Sequence, residues 1–340
     1  MLAPPIGKAK YEMKSTIPQY LRVSTLALTT VLFALPCVAQ NYPERPVRFI
    51  VPLPPGGGAD IVARVVAQKL SEGLGQQVVV DNRGGGGTVI GAQAVARAAP
   101  DGYTLLLNTA TTHAINPVMA KDLPYDAIKD FSPVSLIANL PVVLVAHPSL
   151  GVNNVSELVA LAKSKPGALH FASSGNGSSL HLLGEFLNIK AQIKMVHVPY
   201  KGAAPAVTAL LGGAEIGFMF SSIPPVLAHI KSQKVKAIAM ATPKRSSLMP
   251  DIPTINEAGF VGVDAYSWNG VAVPTGTPAA AINRLHAELV KIMAMRDVID
   301  KLGSQGAEAV SNTPAEFAAF IKSEIAKYTL IVKMSGATID

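Results

Sequence analysis

The sequence predicts an α/β protein of parallel-rich sheets flanked by helices and divided between two domains. Three observations carry that reading. Short β-branched, apolar runs alternate with amphipathic stretches of about ten residues, the pattern of βαβ units. Glycine-rich turns recur where a strand pattern gives way to a helix pattern. The length, 340 residues, provides for about two domains at roughly 150 residues each. A composition that is 49% apolar and 15% charged is that of a folded chain.

The first forty residues or so stand apart. Lys8, Lys10, Lys14 and Arg22 precede an uncharged run, VSTLALTTVLFALPCVA (23–39), that ends in the small-x-small triplet Cys37-Val38-Ala39. Basic lead, apolar stretch and small cleavage site follow one another as in a secretory signal, so 1–39 is expected to be a signal peptide cut near Ala39. An uncleaved anchor is the alternative, because the run approaches the roughly 18 to 20 residues that span a bilayer. Pro36 and the small residues behind it favour cleavage. Cys37 is the sole cysteine, so the exported chain is expected to carry neither disulfide nor thiol chemistry. Without residues 1–39 the balance is 25 basic against 21 acidic residues, +4 rather than +7. That suits a small anionic ligand and falls short of the clustered basic stripe that nucleic acids require.

The strand runs are 47–51, 77–80, 103–107, 142–146, 169–172, 195–198, 216–220, 235–239 and 270–273. Behind the first, the helix 60–72 puts Ile61, Val65, Val66 and Leu70 on one side and is expected to stop at Gly73. A second helix, 88–98, follows the next strand. The helix 155–164 opens on Asn154 and Glu157 at capping-box spacing and ends at Pro166-Gly167. Helices at 178–187, 203–211 and 225–231 separate the later strands, and after Pro278 the chain is helical at 279–293, 296–302 and 314–333. This helical tail is expected to return to the first domain. The chain breaks at Leu140-Pro141 and in the turn-rich 242–260, which gives a discontinuous domain of 41–142 plus 265–340 and a continuous one of 143–264.

Four glycine-rich turns follow strands: PPGGGAD, NRGGGGT, SSGNGSS and PYKGAAPA. Each leads into a helix start, which leaves unpaired backbone N–H groups and the positive end of a dipole facing the crevice, an anion site made of backbone. The alternative is that the glycines only make tight turns. Nucleotides are disfavoured, because no turn continues as GK[ST] and Gly56-Gly57-Gly58-Ala59-Asp60-Ile61 puts isoleucine where a dinucleotide fingerprint needs glycine. Ser173, Ser174, Ser178 and Ser179 crowd around His181, but GxSxG is missing, and at a helix start the dipole favours a neutral imidazole that donates to a ligand or caps the helix. The seven histidines are scattered without metal spacing, so no metal is expected. Asn108, Thr109 and Thr111 end a strand with amide and hydroxyl groups suited to a carboxylate oxygen or an uncharged ligand part, or to capping. Trp268 is expected in the core before any role at a cleft.

"YPERPVRFIVPLPPGGGADIVARVVAQKL", "VVVDNRGGGGTVIGAQAVARAAPDGYTLL", "HFASSGNGSSLHLLGE" and "VPYKGAAPAVTALLGGAEIGFMF" closely resemble the extracytoplasmic solute receptors of tripartite tricarboxylate transporters, also called Bug-type receptors. The resemblance covers nearly all of the chain after Asn41. It implies a periplasmic, two-domain "Venus flytrap" that closes on a small carboxylate and delivers it to a membrane permease, with no enzyme activity, catalytic residue or cofactor. A monomer is expected. In such receptors the carboxylate is held by glycine-rich loops of both domains. On this chain those loops carry Gly56, Gly57, Gly58, Ala59 and Asp60, and Ser173, Ser174, Gly175, Asn176, Gly177, Ser178 and Ser179. Asn108, Thr109, Thr111, His181, Tyr200, Lys201 and Ser221 stand around them. Many such receptors have Asp or Asn where this chain has Ser221 and Ser222, which counts against a ligand with an ammonium group and leaves di- or tricarboxylates and aromatic acids. The competing readings are an exported serine hydrolase using the Ser173 to His181 cluster, and a receptor that signals to a sensor.

Overall fold

VRFIV has alternate side chains free to bury on both faces of a sheet, and in the computed structural model it forms β1, Val47–Val51. The model describes residues 1–5, 7, 10 and 42–335, and the apolar stretch 23–39 with its expected cut lies outside them. From β1 the chain runs through α1 (Gly58–Leu74), β2 (Val78–Asn82), α2 (Val89–Ala96) and β3 (Thr104–Thr109). β2 and β3 both pair parallel to β1, as right-handed βαβ crossovers allow. A π-turn (Thr111–Ile115) and α3 (Asn116–Met119) lead to the long strand β4, Phe131–Ala146.

The second half follows as α4 (Val155–Ser164), β5 (His170–Ser173), α5 (Ser179–Ala191), β6 (Val196–Pro199), α6 (Ala203–Gly212), β7 (Phe218–Ser222), α7 (Ile223–Lys231) and β8 (Lys236–Met240). The chain returns through β9 (Tyr266–Pro274), α8 (Ala279–Met293), α9 (Arg296–Ser304), β10 (Glu308–Ala309) and α10 (Pro314–Ser335). The sheet order is β2-β1-β3-β9-β4-β7-β5-β6, with β10 and β8 also on β4. Both ends are parallel, and the middle is antiparallel: β9 to β3 and β4, and β4 to β7 and β8. β4 joins the halves, since Phe131 to Pro141 pair with β9 while Val142 to Ala146 pair with β7 and Val143 to Ala146 also with β8.

Three differences from the sequence expectations have physical causes. β4 starts at Phe131 instead of Val142: the register beside β9 shifts after Pro133, which lacks an N–H, and again after Leu136, and pairing then continues through Pro141. α1 runs past Gly73 and stops at Gly75, φ 70°, where the chain turns left-handed. Gly73 instead leaves room for Glu288 of α8, which a Cβ there would strike. The helical tail does more than return to the first half, for α10 packs on the π-turn and β4 and also on α5 of the second half.

Apolar clusters fill both faces of the sheet. Phe49, Leu70, Leu107 and Leu289 belong to one of them in the first half, and Phe171, Leu187, Phe218 and Phe220 to one in the second. Burying such side chains contributes about 1.5–3 kcal/mol each, which fixes the strand ends and so the loops they carry. No helix among the described residues is long and apolar enough to cross a membrane.

Candidate ligand-binding site

A cavity of about 1090 Å³ opens where the C-terminal ends of β1, β2 and β3 face those of β5 and β6. Its walls are residues 52–55, 84–89 and 109–111 from the first half and 174–176, 178–180 and 199–202 from the second, with Ser267 and Asn269 of β9. Opposed loops come close. A Cβ on Gly87 would lie 3.9 Å from the Asn176 carbonyl, and one on Gly202 3.2 Å from Pro54.

The PPGGG turn is organised from behind by Asp60, which is 4% exposed. Its carboxylate accepts from the Gly56 amide, Arg64 Nε and Asn82 Nδ2, each at 3.0 Å. Burial pushes this carboxyl up, but the hydrogen bonds from Arg64, Gly56 and Asn82 and the Arg64 charge together outweigh it and hold the group below the usual range. Ala59 lines the cavity, whereas Gly56, Gly57, Gly58 and Asp60 do not. The missing Cβ atoms of Gly56 and Gly57 face Ala204 and Ala203 at 3.9 Å, and that of Gly58 faces Leu140, Ser222 and Pro224. These glycines let the loop approach the other half.

The second glycine turn forms a wall. Gly85, Gly86, Gly87 and Thr88 have φ of 124°, 55°, 60° and 78°, a left-handed run that glycine adopts freely and threonine does not. Asn116 holds it: Nδ2 donates to the Gly87 carbonyl at 2.9 Å and to Thr88 Oγ1 at 3.2 Å, with Tyr125 Oη also 3.2 Å away. Among the described residues, no protein acceptor takes the amides of residues 84–88.

In the second half Ser178 caps α5 by accepting from the His181 amide at 3.2 Å. Ser173 Oγ accepts from the Gly175 amide and shares a 2.6 Å hydrogen bond with His197 Nε2. His181 Nδ1 accepts from the Gly177 amide at 3.2 Å, which puts the ring proton on Nε2, and its ring stacks on His197 at 3.8 Å. Burial holds His181 neutral with a pKa of about 4; burial and then the His181 charge bring His197 to about 3. Ser174, Gly175, Asn176, Ser178 and Ser179 line the cavity, and Ser173, Gly177 and His181 brace the loop behind it. Ser173 is fully buried, so its contact with His197 does not present a nucleophile.

Thr109, Thr111, Tyr200 and Lys201 also line the cavity. Asn108 is buried outside the lining, and Ser221 is buried in β7 with its Oγ donating to the Ser222 carbonyl at 2.8 Å. Asn82 and Gly84 to Thr88, which the sequence marks as an anion-binding turn but not among the residues expected around the ligand, line the cavity too, and so do Asn116, Ser267 and Asn269, which no sequence signal marks. NRGGGGT was visible as a turn. Ser267 and Asn269 flank the buried Trp268 at strand spacing, but only from Tyr266 onward, outside the expected strand. Lys201 carries the only formal charge among the lining residues. No group of three His, Cys, Asp or Glu side chains that could hold a metal occurs among the described residues.

Residues 62–337 match the family described as the tripartite tricarboxylate transporter family receptor, TctC. The chain belongs to this family. Protein BugT of Bordetella pertussis (strain Tohama I / ATCC BAA-589 / NCTC 13251) is 38% identical over 320 residues, 94% of this chain and 98% of that protein. R. palustris Rpa4515 with adipate superposes with a TM-score of 0.85 at 32% identity, covering 87% of this chain and 99% of that one. MatC (Rpa3494) from Rhodopseudomonas palustris with bound malate gives a TM-score of 0.81 at 32% identity, over 86% and 100% of the two chains. TctC proteins are periplasmic solute receptors and not an enzyme family, and this chain has the two-lobed α/β fold of periplasmic binding proteins.

Proposed function

We propose that this chain, exported after cleavage near Ala39, works as a monomeric periplasmic receptor that binds a small carboxylate in the cavity and passes it to a tripartite tricarboxylate-type permease. What supports the reading most is that loops from both halves bring unpaired amides and one lysine to a cavity whose lining has no acid. Two solved relatives that hold adipate and malate point to the same ligand class. The domains are 41–142 with 265–340 and 143–264, hinged where β4 changes partners and before β9. A ligand that touches loops of both is bound better by the closed arrangement, and this differential affinity drives closure. Each helix start stabilises a carboxylate by about 0.3–1 kcal/mol and each charge-assisted hydrogen bond by about 1.5–3 kcal/mol. A few of these, less the cost of immobilisation, reach the roughly 8 kcal/mol of a micromolar site.

Titration calorimetry of the exported chain with adipate, malate and ATP tests the proposal. A carboxylate binds at micromolar Kd and the Ser178→Ala/Ser179→Ala double variant binds it more weakly; ATP as the only ligand contradicts the reading.

A further inference from the structure

The charge inventory of the cavity narrows the ligand. Its lining includes Lys201 but no Asp, Glu, Arg or His. Asp60, next in the chain to the lining residue Ala59, is buried and engaged by Gly56, Arg64 and Asn82, so it is not open to a ligand cation. Asp81, in β2 next to the lining residue Asn82, pairs with Arg83 at 2.9 Å. An ammonium brought into this space would lose water and meet no counter-charge. The lining also holds an apolar, proline-rich set, Pro52, Leu53, Pro54, Val89, Leu180 and Pro199, alongside polar residues such as Thr109, Thr111, Asn116, Ser267 and Asn269. The volume, about 1090 Å³, is slightly above the usual range of small-molecule sites, roughly 300–1,000 Å³.

We infer that the cavity selects an extended carboxylate: one carboxylate on the loop amides, an alkyl or aryl body along the proline-rich wall, and at most one further negative charge, met by Lys201. Ligands that bring an ammonium, and short acids that leave the wall uncovered, are discriminated against. This rests on the carboxylate-receptor reading above. Each methylene buried against the wall strengthens binding by about threefold to fourfold, so two separate adipate from succinate by about tenfold.

The test is calorimetry of the full exported chain with adipate, succinate, 2-aminoadipate and hexanoate, repeated on Lys201→Met with a thermal melt to show that this exposed change leaves the fold intact. Adipate is expected to bind at least about tenfold tighter than succinate or 2-aminoadipate. Lys201→Met is expected to weaken adipate about tenfold and to leave hexanoate within about twofold. Succinate or 2-aminoadipate binding as tightly as adipate overturns the inference and leaves the carboxylate reading standing. An unchanged adipate affinity in Lys201→Met overturns the role of that lysine. Failure of all four acids to bind removes the reading and the inference together.

Discussion

At Thr88 a residue with a Cβ sits at φ 78°, the last of four left-handed positions in a row, and the Asn116 side chain ties it and Gly87 in place. Replacing Asn116 with alanine leaves the Gly87 carbonyl and Thr88 hydroxyl without their donor. The expected cost is about 1–3 kcal/mol in urea unfolding, together with weaker adipate binding, because the freed loop must be ordered again by the ligand. Unchanged affinity alongside lost stability would show that the loop does not touch the ligand. In the sequence Asn116 is one polar residue of NPVM, and its partners lie 28 and 29 positions away, so no local signal marks it. The glycines were legible because a missing side chain is itself the signal. What was not legible was which face each turn presents: Gly56 to Gly58 look inward to the other half, whereas Gly84 to Thr88 line the space.

Two elements carry measurable consequences. The start of α5 is braced by the stacked, neutral rings of His181 and His197, with pKa values of about 4 and about 3 against 6.5 for an exposed imidazole. The unfolded chain takes up these protons as pH falls through about 6.5 while the folded chain resists, so the stability is whole above that pH and is lost as pH falls towards 4. Chemical unfolding between pH 7 and 4 should show stability declining, by less than about 1.4 kcal/mol per pH unit for the half-buried His197 because solvent screens it, with His197→Gln flattening the decline. A flat wild-type profile would contradict the buried, neutral pair. In α10, Phe317 is fully buried against Gly270 and lies edge-on to Trp268, whose indole N–H donates to Glu324 at 2.9 Å. Phe317→Ala should cost about 3–5 kcal/mol in the same assay; a cost below about 1 kcal/mol would mean that α10 does not anchor β9. The core position of Trp268 was legible, because a lone tryptophan beside strand residues is most often packed. The reach of α10 onto α5 was not, since an amphipathic pattern names a buried face without naming what covers it.

Across the whole molecule, the periodicities of the sequence outline the βαβ ends of the sheet, where strands are short, branched and bounded by glycine. In its antiparallel centre they catch β7 and β8 but only the later parts of β4 and β9, because β4 carries two prolines and an irregular register and β9 begins with polar residues that face the cavity. Those are the strands that join the two halves, so the part of the fold hardest to see locally is the part that relates the loops to each other. The cavity is therefore a product of topology, with Ala59, Thr109, Ser179 and Lys201 brought together from segments far apart in the chain. The most direct test of this account is a crystal structure of the exported chain grown with adipate. It should place one carboxylate within about 3.2 Å of amide nitrogens from both 84–88 and 174–180, with the methylenes along Pro54 and Pro199; adipate bound outside the cavity, or touching loops of one half alone, would contradict it.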